Sequence, residues 1–118
     1  MSTEQLKLWK AHGLGNDYLV WESPHCRLNS QRVRLVCHRN IGVGGDGVLE
    51  PIETDRADYG LRIWNPDGSI AEKSGNGLRI YAWWIFKNKG APRSFVIDTG
   101  SALARATVFS EERVEIDM

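Results

Sequence analysis

The amino-acid sequence predicts an α+β domain in which a curved sheet is wrapped around one central buried helix. About seven strand-like segments and two helical segments follow one another without the regular alternation of a βαβ protein. The second helical segment, from Gly75 to about Lys87, is apolar on nearly every side, and Arg79 is the only charge before Lys87. Such a helix has to be enclosed on every side by the rest of the fold.

Length and composition indicate one domain and exclude several classes of protein. The 118 residues suffice for one core, and 42% hydrophobic with 25% charged residues exclude a disordered or fibrous chain. Fifteen acidic residues balance fifteen basic ones, so no positive excess points to nucleic acid or to an acidic membrane surface. Cys26 and Cys37 have neither zinc-ligand nor disulfide-framework spacing, and neither a signal peptide nor a membrane span is evident. We expect a soluble cytoplasmic protein.

The first part of the chain is predicted to form two strands and a helix. The strands, at 6–13 and 18–22, are joined by a glycine-rich loop from Gly13 to Asp17. The helix, at 29–40, begins with good capping residues and carries apolar side chains on one face. These side chains are Val33, Val36 and Cys37.

Strands are also predicted on both sides of the apolar helix. Two precede it, at 48–52 and 59–65, and residues 65–68 (NPDG) have the composition of a tight turn. In the second of these strands Leu61 and Ile63 alternate with Arg62 and Trp64, which is the period of a half-buried strand.

Three further strands follow the apolar helix, at 94–99, 102–109 and 113–118. The last one alternates core residues up to Met118 without a closing turn or a polar tail. We therefore expect the chain to be part of a longer protein.

Two glycine-rich motifs precede the apolar helix. GVGGDG (42–47) matches the dinucleotide-binding pattern G-x-G-x-x-G, but that pattern needs a strand before it and a helix after it, and here the order is reversed. We predict a glycine turn in which Asp46 has a structural role. HGLGND (12–17) favours a tight loop with capping side chains, although His12 could act as a general base.

The SGNG motif (74–77) opens the apolar helix and is the strongest candidate site. The first turn of a helix carries unpaired N–H donors and about half a positive charge, and so binds carboxylate or phosphate. Gly75 and Gly77 would let a ligand approach the backbone closely. Ser74 is also a good N-cap. At this point a capping role and a chemical role both stay open.

In order and spacing, the segments HGLGNDY, GVGGDG and RIWNPDGSIAEKSGNG followed by LRI resemble the N-terminal half of diaminopimelate epimerases, over essentially all 118 residues. The resemblance implies two similar domains, each a mostly antiparallel sheet curled around a central helix, with the active site between them. It also implies an isomerase that works without pyridoxal phosphate, metal or other cofactor. In this family two cysteines, one at the N-terminus of each central helix, remove the α-proton from one face and return one to the other.

The resemblance further implies roles for individual residues. Asn16 and Asn65 match substrate-binding asparagines of the family. Gly75 and Asn76 match the residues whose backbone N–H groups hold the substrate at the helix N-terminus.

Two positions depart from the family pattern. Ser74 stands where the family has its first catalytic cysteine, and Gly47 stands where a substrate-site glutamine often occurs. A thiol has an ordinary pKa of about 8.5 that falls at a helix N-terminus, whereas an alkyl hydroxyl is much less acidic. Ser74 is therefore a poor base alone, although it could donate a proton or relay one from Glu72 or Lys73. Gly47 leaves the selectivity for the substrate side chain open.

Three hypotheses follow. In the first, residues 1–118 are the N-terminal domain of a diaminopimelate epimerase of lysine biosynthesis, with Ser74 at the acid/base position. Its partners would be the amino-acid substrate, the C-terminal domain of the same enzyme and a second copy in a homodimer, with neither nucleic acid nor membrane. In the second, the chemistry acts on another amino acid. In the third, the domain is non-catalytic and serves binding or assembly.

Overall fold

The computed structural model describes residues 8–13, 15–22, 27–40, 42, 44–71 and 74–118. Within these ranges the chain forms a mixed α and β architecture with two helices and one sheet. The helices are α1 (Ser30–Cys37) and α2 (Gly75–Asn88). The strands are β1 (Leu8–Gly13), β2 (Asn16–Trp21), β3 (Gly47–Ile52), β4 (Tyr59–Trp64), β5 (Ile70–Ala71), β6 (Ser94–Asp98), β7 (Leu103–Val108) and β8 (Val114–Asp117).

The strands are joined in the order β1-β2-β3-β4-β6-β7-β8, and β5 pairs with β4 outside that path. Neighbours are antiparallel except β2 with β3 and β4 with β6, which are parallel. Parallel neighbours need a crossover connection, and the two helices lie in these connections, α1 between β2 and β3 and α2 between β4 and β6. The sheet is therefore mostly antiparallel, interrupted only where a helix crosses over.

The first hairpin is tighter than the sequence predicts. Asn16 and Asp17 lie in β2 and not in a loop, because Gly13 pairs with Asn16 and His12 with Asp17. Gly15 has a φ of +79°, a left-handed conformation that glycine adopts at little steric cost. Strand β5 was not predicted, since two residues are too few to show a periodic pattern.

The prediction of helix α1 is confirmed with shorter bounds. Asn29 caps it, because its side-chain Oδ1 accepts a hydrogen bond of 2.8 Å from the backbone N–H of Arg32. On the predicted apolar face, Val33 and Cys37 are buried and Val36 packs half-buried against the same cluster.

Apolar clusters cover both faces of the sheet. The prediction of a half-buried strand therefore holds for β4 at Arg62, which is exposed, but not at Trp64. Consecutive strand residues point to opposite faces, and Ile63 belongs to the cluster that contains α2 while Trp64 belongs to the cluster that contains α1. Trp64 is only 7% exposed for this reason. The alternation separated the two faces correctly but could not show that a helix also covers the second one.

Helix α2 contacts β1 and β2 at one end of the strand order and β7 and β8 at the other. Its bounds match the prediction, but the expectation that it is wholly buried is wrong. Asn76, Arg79, Trp83 and Phe86 are only half-buried, and their spacing of three or four residues places them in one stripe along the helix. Neither described helix has the length and apolar character needed to cross a membrane.

The buried carboxylate of Asp98, at the end of β6, joins two connections. It accepts hydrogen bonds from Arg56 Nη2 at 2.5 Å, from Thr54 Oγ1 at 2.7 Å and from the backbone N–H of Gly100 at 2.8 Å. These donors, chiefly the Arg56 guanidinium, hold the pKa of Asp98 well below its usual range. The β3–β4 connection is thereby attached to the start of the β6–β7 turn.

Replacing Asp98 by asparagine should lower the free energy of unfolding by about 1.5–3 kcal/mol at neutral pH, the range for hydrogen bonds to charged groups. Because the folded-state pKa is depressed, the contribution of Asp98 is complete above the unfolded-state pKa of about 3.9 and is lost as pH falls toward the folded-state value. The difference between the proteins should therefore shrink below about pH 5. Urea unfolding at several pH values measures it, with the exposed Asp117→Asn as control. A difference that does not change with pH would contradict the assignment.

Candidate active site

The first turn of α2 forms the candidate active site. Ser74 is its N-cap, with extended backbone angles (φ −150°, ψ 102°), and its Oγ accepts a hydrogen bond of 3.0 Å from the backbone N–H of Gly77. The Ser74 carbonyl accepts the first helical hydrogen bond, from Leu78 at 2.9 Å. The capping interpretation of Ser74 is therefore confirmed. Because the residue is only half-buried, this role is compatible with contact to a ligand.

Positive potential at the helix N-terminus has two sources. The first turn of α2 contains no acidic residue, so the helix dipole is not offset within it. A Cβ built on the exposed Gly75 would lie 3.0 Å from Nη1 of Arg79, which shows that a guanidinium stands beside this turn. The Nε of Arg79 donates to the Val114 carbonyl at 3.1 Å and so ties the side chain to β8. A carboxylate would be stabilised at this position.

Two of the predicted substrate-binding residues meet at the site. The Nδ2 of Asn76 donates a hydrogen bond of 2.6 Å to the Oδ1 of Asn16, which joins the start of β2 to the first turn of α2. Each side-chain amide has both a donor and an acceptor. The Nδ2 of Asn16 and the Oδ1 of Asn76 are the groups that this contact does not use.

The third predicted asparagine, Asn65, lies in the NPDG turn. Its backbone N–H donates to the Ser69 carbonyl at 2.8 Å, its Nδ2 donates to Ser69 Oγ at 3.0 Å, and its carbonyl accepts from Gly68 at 3.0 Å. Gly68 has a φ of +89°, which favours glycine there. These bonds hold Asn65 in the turn and do not connect it to the other candidate residues.

Tyr18 also belongs to the candidate site, although the sequence indicated no role for it there. Its hydroxyl lies 3.1 Å from Ser74 Oγ, and the residue is 9% exposed. The two residues are 56 positions apart and meet only because β2 packs beside α2. Periodicity places Tyr18 in a strand but cannot show what its hydroxyl contacts.

Position 47 is occupied by glycine because the surrounding atoms leave no space for a side chain. A Cβ at this position would lie 2.6 Å from the Trp64 carbonyl oxygen and 2.8 Å from Cε1 of Tyr18. On this backbone no larger side chain fits, so Gly47 makes room for the Tyr18 ring. The position cannot supply the glutamine contact that the resemblance raised.

The GVGGDG segment is a structural turn, as predicted. Three of its described backbone N–H groups donate to carbonyls at the end of α1 and just after it: Gly42 donates to His38 at 2.8 Å, Gly44 to Val36 at 3.0 Å and Gly45 to Cys37 at 3.3 Å. The Asp46 carboxylate accepts from the Asp17 backbone N–H at 2.7 Å and pairs with Arg39 at 3.1 Å. These described N–H groups are therefore already used and are not available to a phosphate, which disfavours nucleotide binding.

Other groups weighed in the sequence lie elsewhere. Cys26, Glu72 and Lys73 are outside the described residues. Cys37 is buried in the cluster around α1, and burial raises the pKa of its thiol.

A cavity of about 1030 Å³ is lined by Tyr81 and other residues from the later turns of α2, with parts of β2, β3 and β4, and by none of the five candidate residues.

A model of the diaminopimelate epimerase family matches residues 8–118. The chain belongs to the diaminopimelate epimerase family. It is 41% identical over 108 residues to diaminopimelate epimerase 2 of Nostoc sp., an alignment that covers 87% of this chain and 38% of the relative. It is 39% identical over 104 residues to the diaminopimelate epimerase of Methanothrix thermoacetophila, covering 80% of this chain and 36% of that one.

A plant member of the diaminopimelate epimerase family is also similar. The chloroplastic diaminopimelate epimerase of Oryza sativa subsp. japonica is 35% identical over 123 residues, covering 99% of this chain and 35% of the relative. The chain thus spans between 35% and 38% of the length of these three curated relatives.

Among solved structures, this epimerase-family chain is similar in fold to PhzF-family phenazine biosynthesis proteins. The protein from Enterococcus faecalis gives a TM-score of 0.69 at 15% identity, covering 92% of this chain and 42% of that chain. The protein from Bacillus anthracis gives 0.65 at 16% identity, covering 94% and 38%. At this level of identity the likeness shows the fold alone.

Replacing Gly47 by alanine should destabilise the protein by about 1–3 kcal/mol, because the added methyl group overpacks the site against the Trp64 carbonyl and the Tyr18 ring. Gly75→Ala is a matched control, since its methyl group would meet only the end of the flexible Arg79 side chain. Urea denaturation midpoints compare the two. An equal midpoint for Gly47→Ala and the unaltered protein would refute the steric explanation.

Proposed function

We propose that residues 1–118 form the N-terminal domain of a two-domain diaminopimelate epimerase, in which the sheet curves around α2 and the active site lies at the first turn of that helix. One observation carries the proposal. In a chain of this family, Ser74 caps the helix where Asn16 and Asn76 meet and where Arg79 stands beside Gly75.

The proposed reaction interconverts LL- and meso-diaminopimelate. The α-proton of an amino acid is only weakly acidic, so the negative charge that develops on proton removal must be stabilised by donors already in place. The N–H groups of Gly75 and Asn76 would hold the substrate carboxylate, with the helix dipole and Arg79 adding positive potential. Asn16 and Asn65 would contact the substrate, and Ser74 would move the proton on one face.

The remaining part of the enzyme would supply the acid/base group for the opposite face and would close the site against water. In the relatives, more than half of the length lies outside the matched region, which supports a second domain. Homodimer formation and a cytoplasmic location remain predictions.

The full-length protein should incorporate deuterium at Cα of diaminopimelate in deuterated water and interconvert the LL and meso forms. The separate 1–118 fragment should not, because half of the acid/base pair and one wall of the site are missing. The measurement is mass spectrometry and chiral chromatography on diaminopimelate and on a panel of other amino acids. Label only in another amino acid, or label in none, would overturn the proposed activity, and turnover by the fragment would overturn the two-domain site.

Replacing Ser74 in the full-length protein tests its role separately. Ser74→Cys should raise the rate of exchange at Cα, because a thiol at a helix N-terminus ionises more readily than a hydroxyl. Ser74→Ala should abolish exchange from that face while substrate affinity falls little, since the N–H groups of Gly75 and Asn76 remain. If Ser74 were a cap alone, alanine would cost about 1 kcal/mol of stability and exchange would continue. Melting temperature and one-face deuterium exchange on both variants decide the matter.

A further inference from the structure

Ser74 has a hydrogen-bonding pattern suited to moving protons. Its Oγ accepts from the Gly77 backbone N–H at 3.0 Å and lies 3.1 Å from the Tyr18 hydroxyl, where either oxygen can donate. A hydroxyl has one proton and two lone pairs. With one lone pair used by Gly77, Ser74 can accept from Tyr18 and keep its own proton for a ligand. It can equally donate to Tyr18 and keep a lone pair for a ligand.

The Tyr18 ring is held firmly beside the helix cap. Its residue is 9% exposed and belongs to the cluster that contains α2. Strand β2 pairs with β3 so that Tyr18 lies opposite Gly47. Because glycine has no side chain, there is room for the Tyr18 ring at this position. The contact between the two hydroxyls is therefore built into the sheet and the helix and does not depend on a loop.

The chemistry of the two hydroxyls differs in a way that matters for a serine at this position. A phenol has an ordinary pKa of about 10, whereas an alkyl hydroxyl is a far weaker acid. A phenolate can therefore carry the negative charge that serine alone cannot hold. The dipole of α2 adds positive potential at the N-terminus that Ser74 caps, and the guanidinium of Arg79 stands beside Gly75 in the same turn.

We propose that the Tyr18–Ser74 hydroxyl pair moves the α-proton on this face, with Tyr18 as a positioning and relay residue that acts through Ser74. In proton removal, the substrate Cα–H proton passes to Ser74 Oγ while the Ser74 proton passes to the Tyr18 phenolate, and the C–H electron pair stays on Cα. In proton return, Cα takes the Ser74 proton and Ser74 takes the phenol proton. Each turnover that begins with Tyr18 ionised leaves Tyr18 protonated and the acid/base group of the opposite face deprotonated. Proton exchange with water, which also brings in the deuterium, resets both groups. The inference rests on the proposed epimerase function.

The test uses the full-length protein and diaminopimelate in deuterated water. Tyr18→Phe keeps the ring and removes the hydroxyl, and should lower kcat for exchange from the Ser74 face by about 100-fold, the scale of general acid–base catalysis. KM should change by less than about threefold, because the N–H groups of Gly75 and Asn76 remain. Tyr81→Phe is the matched control, since the Tyr81 hydroxyl donates to the Gly60 carbonyl at 2.9 Å, away from the cap, and kcat should stay unchanged.

A cysteine at position 74 separates a relay from a structural role. In a Ser74→Cys background, Tyr18→Phe should change kcat by less than about threefold, because a thiol at a helix N-terminus ionises without a relay. Three results would overturn the inference: an unchanged kcat in the Tyr18→Phe protein, an equal loss of kcat in the serine and cysteine backgrounds, or exchange by the Ser74→Cys protein with none by the serine protein. If neither the protein with Ser74 nor the Ser74→Cys protein incorporates deuterium at Cα of diaminopimelate, the proposed function fails, and the relay fails with it.

Discussion

The site depends on one constraint: the first turn of α2 has to stay open while the turns that follow are buried. Gly75 is exposed, yet Leu78 is 1% and Ala82 0% exposed. Helix N-termini carry unpaired N–H groups that need partners, so an open first turn needs a cap or a ligand. Ser74 supplies the cap for one of these groups through Gly77. The other donors of the turn remain the natural place for a carboxylate.

The sheet places the other site residues around this turn. The hairpin of β1 and β2 delivers Asn16 at its tight end, and two residues further along the same strand Tyr18 faces the cap. The parallel pairing of β2 with β3 sets Tyr18 against Gly47, where a side chain would have displaced the ring. The order of strands therefore determines which side chains stand at the helix N-terminus.

The sequence predicted the parts of this arrangement that arise from local patterns. The bounds of α2, the cap at Ser74 and the reversed order around GVGGDG follow from periodicity, capping and turn chemistry. The burial of Trp64 and the contact between Tyr18 and Ser74 could not be predicted in this way, because each depends on what packs against a strand from another part of the chain. The half-exposed stripe containing Trp83 was likewise hidden, since composition cannot show which side of an apolar helix a sheet leaves uncovered.

The cap that the structure shows at Ser74 and the proposed acid/base role of the same residue are compatible. A hydrogen bond donated to an oxygen stabilises its negatively charged form more than its neutral form. The Gly77 N–H donates to Ser74 Oγ in this way, and the helix dipole acts in the same direction. The bond that caps the start of the helix would therefore also lower the cost of partial negative charge on the serine oxygen in the proposed proton transfer. The hydroxyl of serine is a much weaker acid than a thiol. A serine at this position would therefore gain more from the Gly77 N–H and from a second hydroxyl such as that of Tyr18.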